Sequence, residues 1–324
     1  MSIQRLVLSL ATWLVVTGAS HAQDWPQFLG PTRNGVYAGT NLAASWPKEG
    51  PPIAWQKKVG AGFSGPIVAA GKLIVFHRLG DQETVECLNA ETGTPLWKFE
   101  YPTAYRDDFG FDEGPRATSA IADGKVYTFG AEGALHCLDL ATGKKVWSIK
   151  AGEQFTTQKG FFGMACSPLL EGNNLLLNIG GTGGAGLVAF DRNTGTLAWK
   201  ATDDEASYSS PVAATFPGGR RALFFTRSGL VVVEPQKGRV LAQFPWRART
   251  HASVNAATPL VAGDLIFLSA SYETGGALVE VDAALRPKIR WQAPKFGTHF
   301  STAIAHEGHI YGLDESILAC LDAN

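Results

Sequence analysis

The stretch Asp123–Trp147, DGKVYTFGAEGALHCLDLATGKKVW, decides the fold. Lys125-Val-Tyr-Thr-Phe129 alternates polar and apolar side chains, the pattern of a strand with one buried face. Gly130–Gly133 turns the chain, Ala134–Leu138 reads as the next strand, and Asp139-Leu-Ala-Thr-Gly143 is a tight turn into Val146-Trp147. Asp139 can accept from backbone N–H groups two residues on, and Gly143 takes a positive φ without a Cβ clash. The stretch is three short strands and the start of a fourth.

The same pattern recurs along most of the chain. The first residue of the turn reappears as Asn89, Asp139, Asp191, Glu234, Asp282 and Asp322, at intervals of 40 to 52 residues. Thr92-Gly93, Thr142-Gly143 and Thr194-Gly195 keep the turn in full, each with Trp four residues after Gly (Trp97, Trp147, Trp199). The fourth turn is looser, with Lys237-Gly238 and Ala242 where Trp is expected; the fifth has lost its Gly and carries Trp291 one residue late. Ahead of each turn lies a strand with a small-residue or proline start: Ser64-Gly-Pro66, Ala117-Thr-Ser119, Ser167-Pro168, Ser210-Pro211, Thr258-Pro259 and Ser301-Thr302. About ten residues later comes a second strand, as in Leu73–Phe76, Leu175–Ile179 and His309–Leu313. Six repeats of four short antiparallel strands are the signature of an all-β propeller. One such sheet cannot bury both faces, so blades stack around an axis, with the recurrent Trp filling the space between neighbours.

Both ends of the repeat array are informative. Ile53–Val59 resembles a fourth strand with no first three before it, and Asp322-Ala-Asn324 is the first half of a turn that elsewhere continues. Either the N-terminal strand completes the last blade and closes a six-bladed ring, or the array continues past residue 324; the reading favours continuation.

Met1–Ala22 reads as a cleavable export signal: Arg5, an apolar Leu6–Val16 and a small-x-small Ser20-His-Ala22. No Cys follows it, so no bacterial lipid anchor is expected, and the mature chain is placed in the periplasm or outside the cell without a transmembrane segment. Residues 23–52 form an N-terminal extension and 53–324 the propeller. A net charge of −1 gives no reason to expect nucleic acid. Cys87, Cys137 and Cys320 occupy one equivalent repeat position, too far apart to bridge, and read as small buried hydrophobes.

The repeat [Ser/Thr]-x-Pro … Gly-x-[Val/Leu]-[Tyr/Ile] … Leu-Asp-x-x-Thr-Gly-x-x-x-Trp resembles the pyrroloquinoline-quinone-like (PQQ-like) propeller repeat over roughly residues 53–324. Asp24-Trp-Pro-Gln-Phe-Leu-Gly-Pro31 with Asn34-Gly35 is similar to the N-terminal segment of exported bacterial propellers of this type. The resemblance implies seven or eight blades in an intact chain. It implies one of two functions: a quinoprotein dehydrogenase of alcohols or sugars holding PQQ and Ca²⁺, or a BamB-type envelope assembly scaffold with no cofactor. Family enzymes supply a quinone platform with a vicinal disulfide opposite a Trp, and this chain has no adjacent cysteines. The scaffold is therefore the first reading, with envelope proteins or a small ligand in the channel mouth as partners.

In a propeller, the loop before each innermost strand lines one mouth of the channel. This nominates Phe63, Arg116, Thr118, Tyr208, Ser210, Asn255 and His299 as ligand candidates. The loop YRDDFGFDEGPR, 105–116, clusters Asp107, Asp108, Asp112 and Glu113 between aromatics; Asp108, Asp112 and Glu113 are weak Ca²⁺ candidates, and Arg116 pairs with these acids or clamps an anion. Gly180–Gly186 lacks the following helix and Lys-[Ser/Thr] of a phosphate loop and reads as an inter-strand loop. No nucleophile elbow or zinc motif is present, and no catalytic residue is assigned.

Overall fold

The structure is a computed structural model describing residues 24–324 apart from 41, 251–253 and 283; the export signal lies outside the described residues. Five four-stranded antiparallel sheets and one three-stranded sheet follow one another along the chain. Blade 1 is β1 (Ile67–Ala69), β2 (Lys72–Leu79), β3 (Gln82–Asn89) and β4 (Pro95–Pro102). Blade 2 is β5 (Ala120–Ala122), β6 (Lys125–Phe129), β7 (Ala134–Asp139) and β8 (Lys145–Lys150), followed by one helical turn, α1 (Ala151–Gln154). Blade 3 is β9 (Leu169–Glu171), β10 (Asn174–Asn178), β11 (Leu187–Asp191) and β12 (Leu197–Ala201). Blade 4 is β13 (Val212–Phe216), β14 (Gly219–Phe225), β15 (Gly229–Val233) and β16 (Val240–Pro245). Blade 5 is β17 (Leu260–Ala262), β18 (Leu265–Ala270), β19 (Gly275–Val281) and β20 (Pro287–Ala293), and blade 6 is β21 (Ile304–His306), β22 (His309–Asp314) and β23 (Ile317–Asp322).

Burial follows from the stacking. Middle strands such as β10 and β15 are buried along their whole length, because a neighbouring blade covers each face, whereas the outer strands β4 and β8 alternate with solvent. The core is five apolar layers, one at each junction of successive blades; between blades 2 and 3 it holds Tyr127, Phe129, Leu135, Leu175, Leu177 and Phe190. Each such fully buried large side chain contributes roughly 1.5–3 kcal/mol. Blade 6 departs from this rule. Among the described residues nothing pairs with the outer edge of β23, and Ile317, Leu318 and Cys320 are exposed. The expectation of a buried cysteine thus holds at Cys87 and Cys137 and fails at Cys320, which has no covering strand.

Ring closure through Ile53–Val59 is not formed. This segment makes no ladder with β23; it runs beside blade 1, where Lys57 pairs with Glu86 at 3.0 Å and Trp55 Nε1–H donates to Ala90 O at 3.1 Å. Trp55 therefore docks on the blade 1 turn as Trp97 docks on the blade 2 turn, donating to Leu140 O at 2.9 Å. The segment sits where an outer strand belongs, without a sheet behind it.

Residues 24–35 run across the innermost strands. Trp25 exchanges backbone hydrogen bonds with Val68 on β1, Ile121 N–H of β5 donates to Pro26 O at 2.7 Å, and Arg33 Nη1–H donates to Pro168 O at 2.9 Å just before β9. Gly35 lies against Ile304 of β21, 3.3 Å from its Cγ2 to an added β-carbon. One segment thereby ties the innermost strands of blades 1, 2 and 3 and reaches blade 6.

Candidate functional site at the loop face

The loops from each outer strand to the next innermost strand form one face of the propeller. The nominated residues sit there, yet most of their polar atoms are engaged by the protein. Thr118 Oγ1 accepts from Gly65 N–H, Ser167 Oγ from Thr118 N–H, and Ser210 Oγ from Ser167 N–H, each at 3.0 Å. Thr302 Oγ1 accepts from Thr258 N–H at 3.1 Å. These hydroxyls are latches joining one blade to the next, built from the small residues that open each innermost strand. Asn255 is buried; its side-chain amide donates to Thr226 O at 2.8 Å and Trp246 O at 3.0 Å, and its backbone carbonyl accepts from Tyr208 and Ser209 N–H, while its Oδ1 is buried without a partner among the described residues. Tyr208 holds the preceding loop, between β8 and β9, its phenol oxygen accepting from Phe161 N–H (2.8 Å) and Phe162 N–H (3.0 Å). Burial raises the pKa of that phenol.

Arg116 is the centre of what remains. Its guanidinium lies 5.6 Å from the Phe63 ring, 5.5 Å from Tyr105 and 5.7 Å from Phe162, while Nη2–H donates to Asp112 O at 3.0 Å. Aromatic faces attract a cation at such distances. Phe109 stacks with Phe111 and touches Phe161 and Phe162, so that Phe63, Phe109 and Phe111, between 54 and 69% exposed, stand over a half-buried aromatic floor. Arg116, Phe63 and Tyr208 are thus brought together through Phe162. His299 stands apart with Tyr272 (3.2 Å) and Phe300, and burial lowers its pKa. The sequence reading passes over Phe161 and Phe162; their signal is a pair of adjacent aromatics between Gly160 and Gly163.

The four acids of the 105–116 loop are spread over separate partners. Asp107 accepts N–H groups of Phe109, Phe111 and Asp112 and meets Arg116 at 3.4 Å. Burial alone would raise its carboxyl, but these donors hold it below the usual range. Asp108 pairs with Lys159 at 2.6 Å, Asp112 caps Gly114 N–H at 2.6 Å, and Glu113 faces Arg78 and Arg106. Ca²⁺ asks for about six to eight converging oxygens. Asp108, Asp112 and Glu113 do not converge, and among the described residues no three His, Cys, Asp or Glu do. Cys87, Cys137 and Cys166 lie buried in three different blades. As placed, these acids do not form a calcium cradle, and these cysteines do not form a vicinal disulfide. Another run of acids, Asp203-Asp204-Glu205, is likewise engaged, with Asp203 on Gly184 N–H, Asp204 on the Thr226 hydroxyl and Glu205 on Arg227. Gly180–Gly186 joins β10 to β11 as an inter-strand loop.

The blades, the channel and the loop-built mouth define the chain as a PQQ-like β-propeller. The family model described as outer membrane protein assembly factor BamB matches residues 81–324, and the chain belongs to that family. It is 32% identical over 142 residues to the dehydrogenase subunit of the quinone alcohol dehydrogenase of Gluconobacter oxydans, covering 42% of this chain and 18% of that one. It is 33% identical over 88 residues to the assembly factor BamB of Xanthomonas campestris pv. campestris, covering 27% of this chain and 21% of that one. The matches span about a fifth of each relative. Among solved structures, BamB from Moraxella catarrhalis superposes with a TM-score of 0.51 at 16% identity, over 81% of this chain and 82% of the other, which speaks for the fold alone. No helix among the described residues is long and apolar enough to cross a membrane.

Proposed function

We propose that this chain is a non-enzymatic binding or assembly scaffold of the bacterial cell envelope, exported by its N-terminal signal and working through its loop face. One observation carries the reading. The Thr118 and Ser210 hydroxyls and the Asn255 Nδ2–H groups are engaged by neighbouring backbone, while Phe63, Phe109 and Phe111 project from the same mouth. Exposed aromatics around a cation are how a protein surface recognises another protein. The family membership supports this reading.

The identity to a quinone alcohol dehydrogenase subunit favours a second reading, a PQQ- and Ca²⁺-dependent dehydrogenase of alcohols or sugars. The experiment separates the two. A photo-crosslinking amino acid replaces Phe111, or Lys144 on the opposite face, in the producing cell, and the purified chain is titrated with PQQ and Ca²⁺. An envelope-protein adduct from Phe111 alone, removed by Phe63→Ser, supports the scaffold. Saturable PQQ binding with alcohol-dependent dye reduction overturns it.

A further inference from the structure

The N-terminal segment buries a cation against the innermost strands, and its direct hydrogen-bond partners are all neutral. Arg33 is 5% exposed, and its Nη groups donate to Pro168 O (2.9 Å), Ser167 O (3.3 Å) and Gln27 Oε1 (3.2 Å). Its Nε–H is buried without a hydrogen-bond partner among the described residues. Glu171, whose charge is felt at Arg33, is itself held at two points by Arg220, at 3.0 and 2.5 Å. Burial lowers the guanidinium to about 10, which leaves it charged at neutral pH. A buried charge without an opposite charge is costly, and a buried donor without an acceptor adds to that cost.

Arg33 also lines a cavity of about 240 Å³ between residues 32–34 and the innermost strands of blades 4 and 5. Asn34 and Thr215 give it polar groups, and Val212, Leu260 and Val261 give it apolar walls. At about 30 Å³ per water, the space takes roughly eight waters or a ligand of a few carbons.

We propose that this cavity binds a small organic carboxylate, its anionic end beside the Arg33 guanidinium and its tail along Val212, Leu260 and Val261. The carboxylate offsets the buried charge. The apolar walls favour a short alkyl tail over an inorganic anion of the same charge. The cavity shares no lining residue with the aromatic cluster of the mouth, so the site stands or falls independently of the scaffold reading.

The test is calorimetric titration of the exported chain with sodium butyrate, sodium sulfate and sodium chloride at constant ionic strength. Butyrate is expected to saturate one site, with sulfate at least tenfold weaker. Arg33→Lys should weaken butyrate at least tenfold. Thr215→Trp, at an exposed position on β13, fills the cavity without touching Arg33; it should abolish binding while Tm is unchanged. Absence of saturation overturns the site, as does binding that survives Thr215→Trp. Equal sulfate and butyrate affinity overturns the carboxylate assignment.

Discussion

Trp97 rests on Gly143: a β-carbon there would stand 2.6 Å from the indole, whose Nε1–H donates to Leu140 O at 2.9 Å. The same pair joins Trp55 to Gly93, Trp147 to Gly195 and Trp199 to Gly238. Gly143→Ala therefore meets two penalties, a φ of +70° and a ring with no room to move. Gly124 in the same blade has a φ of +69° and open space around it. Gly124→Ala should cost about 1 kcal/mol and Gly143→Ala at least about 2 kcal/mol more, read from chemical denaturation.

Where the indole is absent, so is the glycine. Blade 4 has Ala242 at the Trp position, and the following turn places Leu285, buried with a φ of +58°, in the same apolar layer. Large-on-Gly has become Leu-on-small. Ala242→Trp alone should destabilise by about 1–3 kcal/mol through overpacking. Ala242→Trp with Leu285→Gly should lose less than the two single changes summed, a coupling of about 1 kcal/mol in a double-mutant cycle.

The hydroxyl latches make a separate prediction. Ser167→Ala leaves the Thr118 N–H without its acceptor in a buried site. A cost of about 1–3 kcal/mol follows. Ser167→Thr should restore most of it, since Thr118 and Thr302 serve at equivalent positions. Thermal unfolding of the three proteins checks both statements.

Acid sensitivity should centre on His136. It is buried against Phe99 and Tyr101, and burial lowers its pKa from 6.5 to about 4. The unfolded chain takes up this proton near pH 6.5 and the folded chain only near 4. Stability is thus complete above pH 6.5 and falls as pH drops toward 4, by about 3 kcal/mol at most. His136→Phe should flatten the difference in Tm between pH 7 and pH 4.5.

Phe63→Ser and Phe111→Ser should leave Tm almost unchanged, because both rings are mostly exposed. Partner capture through the loop face should fall at least tenfold, as expected where exposed aromatics anchor an interface. A loss of Tm comparable to Ser167→Ala would instead make these rings structural.

Strands, turns and the six visible repeats were legible because they rest on local rules. Period-two alternation in Lys125–Phe129 and the Asp139–Gly143 turn recur at each repeat, and all six second strands form where the pattern puts them. The loop before each innermost strand was legible as a place and not as a set of directions. Thr118, Ser210 and Asn255 look like ligand groups in one dimension, but each meets a backbone group on another loop or blade, 53 residues away for Thr118 and Gly65.

The sequence by itself determined the repeat, its strands and the small residues that start each blade, since side-chain alternation and turn chemistry act within a few residues. Only the tertiary structure decided which hydroxyls became latches, that Trp55 docks without a sheet of its own, and that Arg33 lies buried beside a cavity. Those outcomes depend on neighbours brought close by blade stacking, and no local pattern encodes them.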